Sequence, residues 1–120
     1  MENSNTTWRM RLTYMLVIVF MLLTNISFSQ IKVVQFNAGW NNVNDVNWVN
    51  SLKDCKTISY IDVAANAKAQ TKYKIAVVPT IIIFKDGEEV ARFQADLSFR
   101  MVATKEEVQE EIDNILMSDF

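Results

Sequence analysis

The chain has 120 residues, 50% of them hydrophobic and 22% charged, with a net charge of −2. That suits one compact domain and is too apolar for a disordered chain. It contains no histidine and one cysteine, which removes Ser-His and Cys-His catalysis, the commonest zinc ligand and any internal disulfide, and the acidic balance offers no basic surface to a nucleic acid.

The N-terminal segment differs from the rest. Arg9 and Arg11 precede an apolar run from Leu12 to Leu23, followed by the small-x-small sequence Ser27-Phe28-Ser29. A basic start, a short apolar middle and small residues at the end form the pattern of a secretory signal. Cleavage after Ser29 is expected, making residues 1–29 a leader and residues 30–120 the domain. The 12-residue run is shorter than the roughly 20 residues of a membrane-spanning helix. The alternative is an uncleaved anchor built from residues 12–28, in which case the membrane becomes a partner. Either way the chain is expected to be exported, as a periplasmic or secreted protein or held at the membrane. Losing the leader lowers Lys+Arg from 12 to 10 and Asp+Glu from 14 to 13, leaving a net charge of −3.

After the leader, Lys32 to Phe36 (KVVQF) reads as a central strand ending at the turn signal Asn37-Ala38-Gly39. Val43, Val46, Val49 and Leu52 then recur every three residues and give a short helix one apolar face. Asn41, Asn42 and Asn44 are candidates to cap it. A polar connection, Lys53 to Lys56, carries Cys55. Thr57 to Val63 (TISYIDV) alternates and is β-branched, so it reads as a strand. Ala64 to Lys74 reads as an Ala-rich helix with Ala65, Ala69 and Tyr73 on one face. Thr80 to Phe84 (TIIIF) is an apolar strand, and Asp86-Gly87 is a hairpin turn. Glu88 to Leu97 alternates, with Ala91, Phe93, Ala95 and Leu97 on one side. Thr104 to Glu107 has the form of a capping box, and the helix after it places Val108, Ile112, Ile115 and Leu116 on one stripe. The order β-α-β-α-β-β-α predicts an α/β domain with a mixed sheet covered on both faces.

Four pieces carry a family resemblance. Val33-Val34-Gln35-Phe36-Asn37-Ala38-Gly39-Trp40 resembles the thioredoxin strand and loop that lead to the active site. Asp62 followed by Ala69, Lys72, Tyr73 and Ile75 resembles the next strand and its helix. Val78-Pro79-Thr80 resembles the cis-proline loop, and Phe84-Lys85-Asp86-Gly87-Glu88 the hairpin after it. The resemblance implies a thioredoxin-like fold reduced to a four-stranded mixed sheet, because the family's first strand and helix are missing. It implies a cis Val78-Pro79 bond that presents backbone to an extended peptide. It also implies that the strand from Thr57 to Val63, whose outer neighbour is lost, becomes an open edge that pairs with another copy or another protein.

The chain departs from the family at the redox site. Where thioredoxins have Cys-Gly-Pro-Cys after the Trp, this chain has Asn41-Asn42-Val43-Asn44. A carboxamide cannot become a thiolate, so Asn41 and Asn44 can neither attack a disulfide nor form one. The remaining thiol, Cys55, matches neither redox position. It reads as a small, partly buried residue, or alternatively as a monothiol that forms a mixed or intermolecular disulfide. The Asn-rich stretch, Asn37, Asn41, Asn42, Asn44, Asn47 and Asn50, reads as caps and solvated helix surface. Glu106, Glu107, Glu110, Glu111 and Asp113 read as a solvated face with no metal-ligand spacing. The expectation is a redox-inactive, non-enzymatic domain needing no cofactor or metal. It would bind a protein or peptide through Trp40, Val78, Pro79 and Thr80. A monothiol redox role through Cys55 is the alternative, and assembly through the open sheet edge a second one.

Overall fold

The computed structural model describes residues 4–24 and 30–119. Helix α1 spans Ser4–Thr24, and its side chains from Arg9 to Phe20 are exposed. No helix among the described residues is long and apolar enough to cross a membrane. The expected cleavage point after Ser29 lies outside the described residues.

Four strands form one sheet: β1 (Ile31–Asn37), β2 (Thr57–Asp62), β3 (Thr80–Lys85) and β4 (Glu88–Gln94), in the order β2-β1-β3-β4. β2 runs parallel to β1; β3 is antiparallel to both β1 and β4. The central strands are buried on both faces, which is why both read as near-continuous apolar runs. Alternation sends Ile31, Val33, Ile81 and Ile83 to one face, where Val46, Val49, Leu52, Val108 and Ile112 meet them. Val34, Phe36, Ile82 and Phe84 point to the other, packing with Val63, Ile75, Val78 and Tyr73. The thioredoxin-like architecture expected from the sequence is therefore the one observed, a four-stranded mixed sheet with helical elements on both faces.

The helix expected around Val43–Leu52 is instead two 3₁₀ helices, Gly39–Asn44 and Asn47–Ser51. A spacing of three matches 3.0 residues per turn, not 3.6. Asp45, extended at φ −55° and ψ 138°, separates the two and breaks the common face. Val46, Val49 and Leu52 are buried, whereas Val43 is 87% exposed. The first 3₁₀ helix starts at Ala38 with no side-chain cap, so none of the proposed Asn caps is used there.

Helix α2 is shorter than expected, Ala67–Lys72. The Asp62 carboxylate accepts from the N–H groups of Ala64 and Ala65 and holds them in a turn; Asn66 then caps the helix by accepting from Ala69 at 3.1 Å. β4 ends at Gln94, and Leu97 is 96% exposed rather than on the core face. The Asp96 carboxylate takes N–H bonds from Ser98 and Arg100 and the Ser98 hydroxyl, folding the chain into a turn at that point. The same bonds hold the Asp96 carboxyl below its ordinary pKa. The β3–β4 turn has Asp86 at φ 52° and Gly87 at φ 87°, the two positive values of a tight hairpin. Its Asp86 carboxylate accepts from the N–H of Gln30 at 2.9 Å and fastens the entrance of the domain. Helix α3 spans Lys105–Met117, capped by Thr104 accepting from Glu107 at 3.2 Å, with Glu106 and Glu107 favourably placed in its first turn. Val108 and Ile112 are buried, and Ile115 and Leu116 pack against the same cluster.

Candidate functional site

β1 delivers a run of carboxamides to the start of the first 3₁₀ helix. Gln35 is buried, and its amide pairs with the backbone of Val46: Val46 N–H donates to Oε1 at 2.7 Å, and Nε2 donates to the Val46 carbonyl at 3.2 Å. Asn37, fully buried, donates to the Asn41 carbonyl at 3.2 Å and to the Asp45 carboxylate at 2.5 Å. Asn41 is 4% exposed, with a backbone (φ −111°, ψ 19°) that leaves helical geometry. Its Nδ2 donates to Asn37 Oδ1 at 3.0 Å and to the Phe99 carbonyl at 3.1 Å, and its Oδ1 accepts from Asn44 at 2.8 Å. Among the described residues no buried side-chain polar atom lacks a partner. Asn37 and Asn41 are thus not solvated surface, as expected from the sequence, but the centre of a buried network. Such a network rigidifies the loop because each member is costly to leave unpaired.

The network ends at Tyr60, whose hydroxyl donates to Asp45 at 3.1 Å. Partial burial and the Asp45 carboxylate push the Tyr60 phenol up from 10.0 to about 12. Because the folded state holds this proton more tightly than the unfolded chain, the contribution is complete below pH 10 and fades as pH rises toward 12. Denaturant unfolding across that window is expected to show a stability loss that is smaller in the Tyr60→Phe variant.

Beside the network, Trp40 stands 65% exposed and meets Phe99 edge-on, with ring centroids 5.1 Å apart at 89°. Phe99 reaches it from a left-handed backbone position, φ 61°. The two rings border a cleft of about 160 Å³ lined also by Ala38, Val63, Ile75 and Val78. That is below the roughly 300 Å³ of small-molecule sites and gives room for about one side chain. The Val78-Pro79 peptide bond is cis. Of the four binding residues proposed from the sequence, Trp40 and Val78 line this cleft. Pro79 and Thr80 are buried; Thr80 Oγ1 donates to the Val77 carbonyl at 2.6 Å, and the Pro79 carbonyl accepts from Ala95 at 3.0 Å. They shape the loop and do not line the cleft. Arg92 anchors the segment that leads into the cleft residues Ile75 and Val78, donating to the carbonyls of Tyr73 at 2.7 Å and Lys74 at 3.0 Å while paired with Glu89 at 2.6 Å.

Cys55 is half-buried and packs against the core cluster of α3 and the 3₁₀ helices. Burial, then the carboxylates of Asp54 and Asp113, push its thiol above the ordinary value. Sequence reasoning missed Phe99, Asp45 and Tyr60. Phe99 lies just past the strand read as far as Leu97, and the Asp96 turn that aims it depends on a side chain folding back on its own backbone. Tyr60 and Asp45 come together only through the pairing of β2 with β1.

Comparison with known proteins points one way. Thioredoxin from Chlamydia pneumoniae is 47% identical over 36 residues, covering 30% of this chain and 35% of that relative's length. A mutant thioredoxin from Halobacterium salinarum superposes with a TM-score of 0.58 at 21% identity, covering 71% of this chain and 74% of that one. A malaria-parasite thioredoxin, described as a component of protein secretion machinery, gives 0.55 at 16% identity over 75% of this chain and 86% of its own. The thioredoxin family model matches residues 24–114, most of the chain. With the sheet order and the family match agreeing, this chain belongs to the thioredoxin family.

Proposed function

We propose that this protein is an exported, redox-inactive thioredoxin-family domain that binds an extended protein or peptide segment. The segment would place an apolar side chain in the cleft between Trp40, Phe99 and Val78. One observation carries the reading: the two positions where the family has cysteines hold Asn41 and Asn44, and their amides are bonded to each other and into the core. The loop is thereby fixed without sulfur, while the neighbouring cleft stays open and rimmed by an exposed aromatic pair. Export rests on the Arg9/Arg11 start, the apolar run and the Ser27-Phe28-Ser29 end. The monothiol alternative is disfavoured by the surroundings of Cys55, which oppose the thiolate that disulfide exchange requires.

Two measurements test it. Dithiothreitol-driven insulin reduction is expected to run at the uncatalysed rate; catalysis that persists in a Cys55→Ser variant overturns the reading. Peptides selected against the full chain are expected to lose about tenfold or more in affinity on Trp40→Ala, as befits an aromatic anchor. Unchanged affinity would place the binding surface elsewhere.

A further inference from the structure

Phe99 is a wall of the cleft that lies in neither a strand nor a helix, and its own loop, Asn41 and Trp40 hold it instead. The chain from Asp96 to Arg100 closes on itself: the Asp96 N–H donates to the Arg100 carbonyl at 3.0 Å, and the Phe99 N–H to the Asp96 carbonyl at 3.1 Å. The Asp96 carboxylate ties the same loop through one oxygen, Oδ1. That atom accepts from the N–H groups of Ser98 at 2.9 Å and Arg100 at 3.3 Å, and from the Ser98 hydroxyl at 2.5 Å. Ala95 and Met101 bridge antiparallel at the base of the loop. Phe99 is left at φ 61°, a backbone region that a bulky residue keeps only where its surroundings impose it. Two contacts reach it from the first 3₁₀ helix. Asn41 Nδ2 donates to the Phe99 carbonyl at 3.1 Å, and the Trp40 ring meets the Phe99 ring edge-on. Leu97, in the same loop, stands almost fully exposed, whereas Phe99 keeps more than half of its surface covered.

We propose that Phe99 is the selectivity wall of the cleft and that Asp96 and Asn41 are positioning residues that hold it, so that the site takes one uncharged side chain no larger than a benzene ring. The proposal rests on the peptide-binding reading and names the kind of segment bound: one with Leu, Ile, Met or Phe at its anchoring position. The size limit follows from the space. A cavity of about 150 Å³ holds one benzene-sized group, and this cleft offers about 160 Å³. An indole needs more, so Phe99 would have to yield. Moving it breaks the Asn41 bond and opens the Asp96 turn, which opposes the larger guest. The charge limit follows from the lining. None of the described residues around the cleft is charged, and only Gln70 and the Trp40 indole bring polar side-chain atoms. A carboxylate or ammonium group would give up water there without an ionic partner. Asn41 therefore acts twice. Standing at the family's first redox position, it removes the thiol, and through Phe99 it sets the width of the cleft.

Peptide affinities of the full chain in mild detergent test this. A peptide selected against the chain is resynthesised with Leu, Met, Trp or Glu at its anchoring position, the one where alanine weakens binding most. The wild type is expected to bind the Leu and Met forms about tenfold more tightly than the Trp and Glu forms. Phe99→Ala should abolish the preference for Leu over Trp and keep that for Leu over Glu, since the lining stays uncharged. Asp96→Ala should lower the Leu-over-Trp ratio about as far. Asp96→Asn should restore it, because asparagine keeps the Oδ1 acceptor that ties the loop. Asn41→Ala should lower the ratio as well, and neither alanine variant should lower it further in a Phe99→Ala background. The proposal is overturned if Phe99→Ala leaves the ratio unchanged or if the wild type binds the Trp form as tightly as the Leu form. It is equally overturned if Asp96→Asn shows a ratio as low as Asp96→Ala. The peptide-binding reading fails separately, when Trp40→Ala leaves the affinity for the Leu form unchanged.

Discussion

Replacing Asn41 by Ala is expected to destabilise the domain by about 3 kcal/mol, lowering its melting temperature by roughly 10–20 °C. The side chain is buried and its two atoms serve three partners: Asn37 Oδ1, the Phe99 carbonyl and the Asn44 amide. Truncation leaves all three without it. A single buried polar group left unpaired costs about 1–3 kcal/mol, and water entering from the loop side offsets part of the sum. Asn42 is the matched control. It is exposed, and only its backbone carbonyl takes part, accepting from Asp45 at 3.1 Å. Asn42→Ala is therefore expected to stay within about 0.5 kcal/mol of wild type. Chemical denaturation of the two variants side by side checks this. Equal small effects would mean that the network contributes little, and the structural account of the lost cysteines would fail with it.

A larger loss is expected from Phe36→Ala, about 3–5 kcal/mol. Phe36 has no exposed surface and sits at the meeting point of β1 and the segment after α2. Its ring lies 5.1 Å from that of Tyr73, which in turn lies 5.7 Å from Phe84. A domain of this size has a total stability of only about 5–13 kcal/mol. The variant should thus lose much of its cooperative transition, seen as a broadened or absent thermal unfolding signal. The conservative Phe36→Leu keeps most of the volume and should cost about 1.5 kcal/mol. Because Phe36 packs with Val63, Ile75 and Val78, which line the cleft, Phe36→Ala should disturb peptide binding even where some folded protein survives.

The sheet was legible because its central strands are apolar on both faces and its turns are chemically distinctive. KVVQF, TIIIF and Asp86-Gly87 each have one reasonable reading. The segments around the site were harder for an identifiable reason. The three-residue repeat of Val43, Val46, Val49 and Leu52 marks a helix of some kind, and only the extended Asp45 decides that it is two short 3₁₀ pieces with Val43 left outside. Asparagine is ambiguous in the same way. At a helix start it caps, on a surface it hydrates, and in a core it bonds. Asn66 does the first, Asn42 is exposed, and Asn37 and Asn41 do the last. Composition cannot separate these roles, since they depend on what the sheet brings within 3 Å. Family resemblance located the loop, and the bonds of Asn41 explain why it keeps its shape without a disulfide.

The hydrogen bond between Gln30 and Asp86 would change character under the proposed cleavage after Ser29. In the uncut chain Gln30 offers Asp86 a neutral amide N–H. Cutting after Ser29 would turn that group into a free, positively charged α-amine at the same spot. The contact then becomes an ion pair between the new N-terminus and the hairpin carboxylate, stronger than the bond it replaces. It would also occupy the amine that an N-terminal glutamine otherwise uses to cyclise, so proteolysis itself would tighten the closure of the sheet at its first strand.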